Sequence, residues 1–228
     1  MNEPESRRPL KSRGSPWAQR LAGALGRAKV SPDLISFLGV AFAVLGGAAL
    51  ALSGQSFEAT RVFLLLLAVL CIQLRLLCNL LDGMVAVEHG LAGATGPIWN
   101  EFPDRVADVV LLAGAGYGAI HADHDLAPAL GWLCAALAVM TAYVRELGRG
   151  LGFPADFIGP MAKPQRMSVL TVATLASLTE SWWTGPLGHG KALLWGLALI
   201  AVLAIGTVGR RVIRLARQLK ARAREPRS

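Results

Sequence analysis

The chain has 228 residues, 54% of them hydrophobic and 25 of them glycine, and a formal net charge of +8. Its apolar residues run in whole stretches rather than along one helical face, which excludes an ordinary soluble globule. The basic residues gather at the two ends and in one inner loop, which argues for membrane topology and against a nucleic-acid partner.

The first 14 residues are basic and Pro-rich and read as a disordered tail. With no apolar core before residue 33, they are not expected to form a cleavable signal peptide. Trp17, Leu21, Ala24, Leu25 and Ala28 then share one face of a short helix flanked by Arg20 and Arg27, the pattern of an interfacial amphipathic helix. Ser31-Pro32-Asp33 opens the first span, with a proline at a helix start and polar residues able to cap it. Six spans are predicted, at 33–53, 62–86, 103–121, 127–147, 167–184 and 190–208. Each is near the roughly 20 residues that cross a hydrocarbon core.

The loops at 53–61, 121–126 and 184–191 hold only Arg61 and Lys191 as cations, so the basic side is expected to be cytoplasmic. Six crossings put both termini there. The third span starts either at Pro97, with Pro103 then inside the helix, or near Asn100, with Pro103 in the first turn. The sequence leaves both open. Residues 145–166 read as the longest inner loop. The expected organisation is a basic tail and interfacial helix over 1–30, a six-helix membrane domain over 31–210 and a basic tail over 211–228.

Secondary features fit that frame. Trp17, Trp99, Trp132, Trp182 and Trp183 fall near span ends, as an aromatic belt places them. Cys71 and Cys78 are about 10.5 Å apart by helical rise, too far for a disulfide, and Cys134 also lies in a span. His121, Asp123, His124 and Asp125 have a metal-like composition but read as solvated turn residues in an outer loop.

The most informative stretch is Asn79-x2-Asp82-Gly83-x2-Ala86-x9-Gly96-x3-Asn100-x3-Asp104-x3-Asp108. Asn79 and Asp82 share one helical face, and Asn100, Asp104 and Asp108 share another. Two such faces packed together make an oxygen-rich pocket at a membrane boundary, suited to Mg²⁺, Mn²⁺ or Ca²⁺. Acids within membrane segments are costly and are functional candidates by default.

Residues 79–104 resemble the signature of the CDP-alcohol phosphotransferases (CDP-alcohol phosphatidyltransferases), Asp-x2-Asp-Gly-x2-Ala-Arg followed by Gly-x3-Asp-x3-Asp. Ser31-Pro32-Asp33-Leu34-Ile35-Ser36 is similar to the opening of that family's first span. Tyr143-x-Arg145 and residues 159–166 resemble its phosphate-handling loop. The resemblance implies transfer of a phosphatidyl or related group from a CDP-linked donor to an alcohol, with release of CMP. It implies Asn79, Asp82, Asn100 and Asp104 as metal ligands, with Asp104 also the general base. It also implies Gly83, Ala86 and Gly96 at the nucleotide, and Arg145, Lys163 and Arg166 at an acceptor or lipid phosphate.

This chain departs from the signature at three places. Asn79 and Asn100 stand where the family has Asp, and Val87 stands where it has Arg. An amide ligates through a neutral oxygen, so two negative charges are lost, and one Mg²⁺ or Mn²⁺ is expected rather than two. Arg75 lies one turn deeper than Asn79, and on the antiparallel neighbour one turn deeper than Asp104 is Asp108. The two are expected to form a structural ion pair, against the alternative that Asp108 joins Asp104 as a ligand.

The sequence thus reads as an all-α integral membrane protein of a bacterial inner membrane, its active site facing the cytoplasm. Expected partners are a CDP-linked lipid donor, an alcohol acceptor and anionic membrane lipids, with no nucleic acid and with homodimerisation left open. Two rival readings remain: a weakened or inactive relative that binds nucleotide or lipid headgroup, and a small transporter.

Overall fold

The computed structural model describes residues 14–88, 95–184 and 189–224, without the side chains of Glu88, Pro97, Asn100 and Thr184. The regular elements among the described residues are all helices. They are α1 (Pro16–Arg27), α2 (Pro32–Ser53), α3 (Glu58–Glu88), α4 (Gly96–Gly118), α5 (Leu126–Gly150), α6 (Lys163–Ser177), α7 (Glu180–Thr184) and α8 (Lys191–Arg222). Residues 1–13 of the tail expected over 1–14, and residues 89–94 of the Gly-rich turn that the sequence suggests over 87–99, lie outside the described residues.

Prolines set several helix starts. Pro16, Pro32 and Pro164 lie in the first turns of α1, α2 and α6, where the missing N–H breaks no helical bond. The Ser31 hydroxyl accepts from the Leu34 N–H at 3.2 Å and caps α2. Helix α4 begins at Gly96, so Pro103 is inside it and gives no N–H to the carbonyl of Trp99.

Among the described residues four helices are long and apolar enough to cross a membrane: α2, α3 over Glu58–Val87, α5 and α8. The sequence gives six, and the other two differ for separate reasons. Helix α4 carries Glu101, Asp104, Arg105 and Asp108, which lower its hydropathy. The span expected at 167–184 is divided into α6, of 15 residues, and the short α7. The division has a visible cause. Arg61, expected as an outer-loop cation, is buried; it donates to the Ser177 carbonyl at 3.0 Å and pairs with Glu180 at 2.7 Å. Glu180 in turn accepts from the backbone N–H groups of Gly190 and Ala192 and so holds the start of α8.

Helix α2 packs on α3 and α4, α4 on α5, α5 on α8, and α6 on both α3 and α8. Glycines allow the closest of these crossings. A Cβ on Gly114 would lie 2.3 Å from the carbonyl oxygen of Gly47, so α2 and α4 meet backbone to backbone. Around this crossing the core is built from Leu50, Leu65, Leu111, Leu112, Leu193 and Leu197.

A smaller cluster seats α1 through Ala18 and Ala22 on Leu80, Leu81, Met84 and Val85 of α3. Of the apolar face expected for α1 only Leu25 packs on this cluster; Ala18 and Ala22, outside that face, are buried, while Trp17, Leu21, Ala24 and Ala28 stay exposed. Helix α8 passes residue 210 without a break and continues to Arg222.

Replacing Gly114 by valine forces α2 and α4 apart, and we expect a loss of about 1–3 kcal/mol. A lower thermal midpoint of the purified protein in detergent checks it, with Gly206→Val, where nothing lies within 4 Å, as the neutral control.

Candidate functional site

Helices α3 and α4 bring the signature residues together beside α2. A small cleft between them is lined by residues that include Ser36, Arg75, Asn79, Asp82, Trp99 and Asp104. Asp82 is buried. Its Oδ2 accepts from the Ser36 hydroxyl at 2.7 Å and its Oδ1 from the Gly83 N–H at 2.5 Å. Each carboxylate oxygen has two lone pairs, so both can still ligate a cation. Asp104, across the cleft, accepts at Oδ1 from Arg75 Nη2 at 3.0 Å. At Oδ2 it contacts the Lys163 ammonium, and Arg105 Nη2 lies 3.6 Å away. Lys163 also donates to the side-chain oxygen of Asn79. The side chain of Asn100 is outside the described residues.

One turn deeper the charges are fully buried. Arg75 is 2% exposed and Asp108 0%. Arg75 Nη2 lies 3.8 Å from Asp108 Oδ1, closer to Asp104 than to the partner expected for it. The tighter partner of Asp108 is Arg166, whose Nη2 is 2.7 Å from Oδ2. Arg166 is 1% exposed and also donates to the Thr141 hydroxyl and the Met161 carbonyl.

The structure therefore separates the three cations expected at one phosphate. Arg166 is inside the bundle, held by an acid and a hydroxyl, and has no face to the cleft mouth. Lys163 reaches the metal-ligand positions. Arg145 pairs with Glu101 and Glu146 and lies 5.5 Å from the ring centroid of Phe157.

The residues expected at the nucleotide stand nearer the mouth. Gly83 and Ala86 are half-buried on α3. Gly96 starts α4, and a Cβ there would meet nothing within 4 Å. The cluster from His121 to Asp125 stays outside the site. Asp123 accepts from the Asp125 and Leu126 N–H groups, at 3.2 and 2.9 Å, and closes the turn before α5.

Sequence reasoning assigned no role to three parts of this network. Ser36 was visible as the last residue of the stretch that resembles the family's first-span opening, but with no function attached to it. Thr141 and Arg211 connect the site to the loop before α6: Arg211 donates to the Thr141 carbonyl at 2.6 Å and to the Ile158 carbonyl at 3.0 Å. Arg211 sits in a basic run that topology alone explains, so nothing marked it.

No family model matches the chain. It is 28% identical over 199 residues to the phosphatidylinositol phosphate synthase of Streptomyces avermitilis, covering 86% of this chain and 77% of that protein. Its fold matches the crystal structure of Mycobacterium tuberculosis phosphatidylinositol phosphate synthase with CDP-DAG bound. The TM-score is 0.70 at 21% identity, over 88% of this chain and 94% of that one. The same enzyme in complex with manganese and citrate gives a TM-score of 0.69 at 21% identity, over 87% and 88% of the two chains. The chain is thus similar over most of its length to phosphatidylinositol phosphate synthases and shares their fold. These likenesses support an integral membrane enzyme of phospholipid synthesis that moves a phosphatidyl group from a CDP-linked donor to an alcohol.

The donor set of this cleft suits a hard divalent ion. Two carboxylates and a carbonyl oxygen line one cleft, all of them oxygen donors. Among the described residues no three acidic, His or Cys groups gather closely enough to hold an ion by themselves.

The buried Asp108–Arg166 pair gives a direct prediction. Arg166→Met leaves Asp108 with only the longer contact to Arg75, and stability should fall by about 3–5 kcal/mol. Adding Asp108→Leu removes the uncompensated charge and should restore most of the thermal midpoint.

Proposed function

We propose that the cleft between α3 and α4 transfers a phosphatidyl group from a CDP-linked lipid to a small phosphorylated alcohol. The carrying observation is that Asp82 and Asp104, at the family spacing, line the same cleft from two helices. The acceptor class is supported by the phosphatidylinositol phosphate synthase to which the chain is similar.

In this reading the acceptor hydroxyl forms a bond to the phosphorus carrying the lipid. The bond from that phosphorus to CMP breaks, and CMP departs. Asp104 takes the hydroxyl proton. Asp82, flanked by Asn79, Asn100 and Asp104, would hold one Mg²⁺ or Mn²⁺, which would polarise phosphoryl oxygens and orient the leaving group. Arg75 orients Asp104 through its 3.0 Å contact. Gly83, Ala86 and Gly96 border the nucleotide, and Arg145, its guanidinium balanced by Glu101, meets the acceptor phosphate.

We place the site on the cytoplasmic side of a bacterial inner membrane, with six crossings and α1 at the interface. Helix α4 can cross despite its acids because Asp104 and Asp108 are turned inward onto cations. Helices α6 and α7 together complete the fifth crossing. The arginines at the end of α8 then meet anionic headgroups.

Release of CMP from CDP-diacylglycerol by purified protein with Mg²⁺ or Mn²⁺ tests this, across inositol phosphate, glycerol phosphate, inositol and serine. We expect turnover with a phosphorylated acceptor, reduced by about 10²-fold or more in Asp104→Asn. Absence of turnover with every acceptor overturns the enzyme reading. Nucleotide binding without turnover would then support the second reading, a binding relative, which Asn79, Asn100 and Val87 favour.

A further inference from the structure

The Lys163 ammonium touches two groups at once, the side-chain oxygen of Asn79 on α3 and Oδ2 of Asp104 on α4. It enters from the first turn of α6, with its side chain 19% exposed. A cation held between a carbonyl oxygen and a carboxylate of two facing helices is in the position a hard metal ion would take there.

The remaining capacity of these ligands is small. Asp104 Oδ1 is bonded to Arg75, and Arg105 also lies beside Oδ2. The amide of Asn79 has only one oxygen, and Lys163 uses it. Charge leads to the same conclusion. Asp82 and Asp104 supply two negative charges, and Arg75 and Lys163 supply two positive ones, while Arg105 beside Asp104 is balanced by Glu101 at 3.8 Å. Asp108 and Arg166 cancel below them. The inner cluster is neutral before any ion arrives.

We propose that Lys163 replaces one divalent cation in this site, as a fixed ammonium bridging Asn79 and Asp104. A single divalent ion is then held at Asp82, jointly with the diphosphate of the donor. This rests on the reading of the cleft as the site for a CDP-linked donor.

Two independent features agree with it. Both oxygens of Asp82 are fixed by neutral donors only, Ser36 and the Gly83 N–H, so its charge stays available to an ion. Arg75 lines the cleft and its Nη1 is buried with no hydrogen-bond partner among the described residues. That spare donor suits a phosphate oxygen and supplies a cation where Val87 supplies none. A neutral cluster gives an ion little to bind until a diphosphate adds negative charge, so ion and nucleotide must bind cooperatively.

The test is Mn²⁺ titration of the full-length protein in detergent, followed by electron paramagnetic resonance, with and without CDP. We expect one Mn²⁺ per chain, bound about tenfold more tightly when CDP is present. Lys163→Met removes the fixed cation and should strengthen Mn²⁺ binding without CDP, again by about tenfold, whereas Lys163→Arg should not. The combined Asn79→Asp, Asn100→Asp and Lys163→Met substitutions should create a second Mn²⁺ site.

Two Mn²⁺ on the parent chain, or none with CDP present, overturns the proposal, and this needs no variant to fold. Unchanged or weakened Mn²⁺ binding in Lys163→Met overturns it too. These outcomes are separable from the enzyme reading. CMP release with two bound ions refutes the ammonium alone, and one CDP-linked ion without CMP release refutes only the turnover.

Discussion

Everything at the inner end of this bundle depends on balancing charge where water is scarce. Asp108 is fully buried, and an isolated carboxylate there would cost several kcal/mol. Arg166 from α6 and Arg75 from α3 compensate it, which obliges three helices to meet at one point. Arg75 carries the constraint upward, because the guanidinium that lies beside Asp108 also fixes Asp104. The position of the proposed base is therefore a result of how the interior is neutralised. The site and the fold share the same ion pairs.

The helical architecture and the gathering of Asn79, Asp82 and Asp104 at one cleft were legible from residue spacing. Period and rise place Asn79 and Asp82 on one face and Asp104 and Asp108 on another, and such local geometry survives folding unchanged. The depth argument brought Arg75 near Asp108 for the same reason. It could not choose among cations, because that choice depends on α6, whose approach no local pattern encodes. Arg166 was thus assigned to a phosphate although it is consumed by Asp108. Helix division was hidden in a similar way. Residues 167–184 have the hydropathy of a crossing, and only the long-range contact of Arg61 with Ser177 and Glu180 shows why the helix stops.

The departures from the family signature also read differently once side chains are placed. Taken alone, Asn79 looks like the loss of a ligand. Beside Lys163 it looks like one half of a matched change, in which a negative charge and a positive ion have both left. An Asp at position 79 would sit against the same ammonium as a second acid, which is why the two positions have to be considered together. Val87 and Arg75 form a comparable pair, with the cation removed from the exposed mouth and one present inside.

Helix α8 has 32 residues, about 48 Å at 1.5 Å per residue, against a hydrocarbon core of about 30 Å. Its inner turns carry Arg211, which grips the carbonyls of Ile158 and Thr141, and Arg222, which donates to the carbonyl of Leu151. A helix longer than the bilayer answers a change in thickness by tilting. Here a tilt would pull on the segment between α5 and α6, and through it on Lys163 at the head of α6.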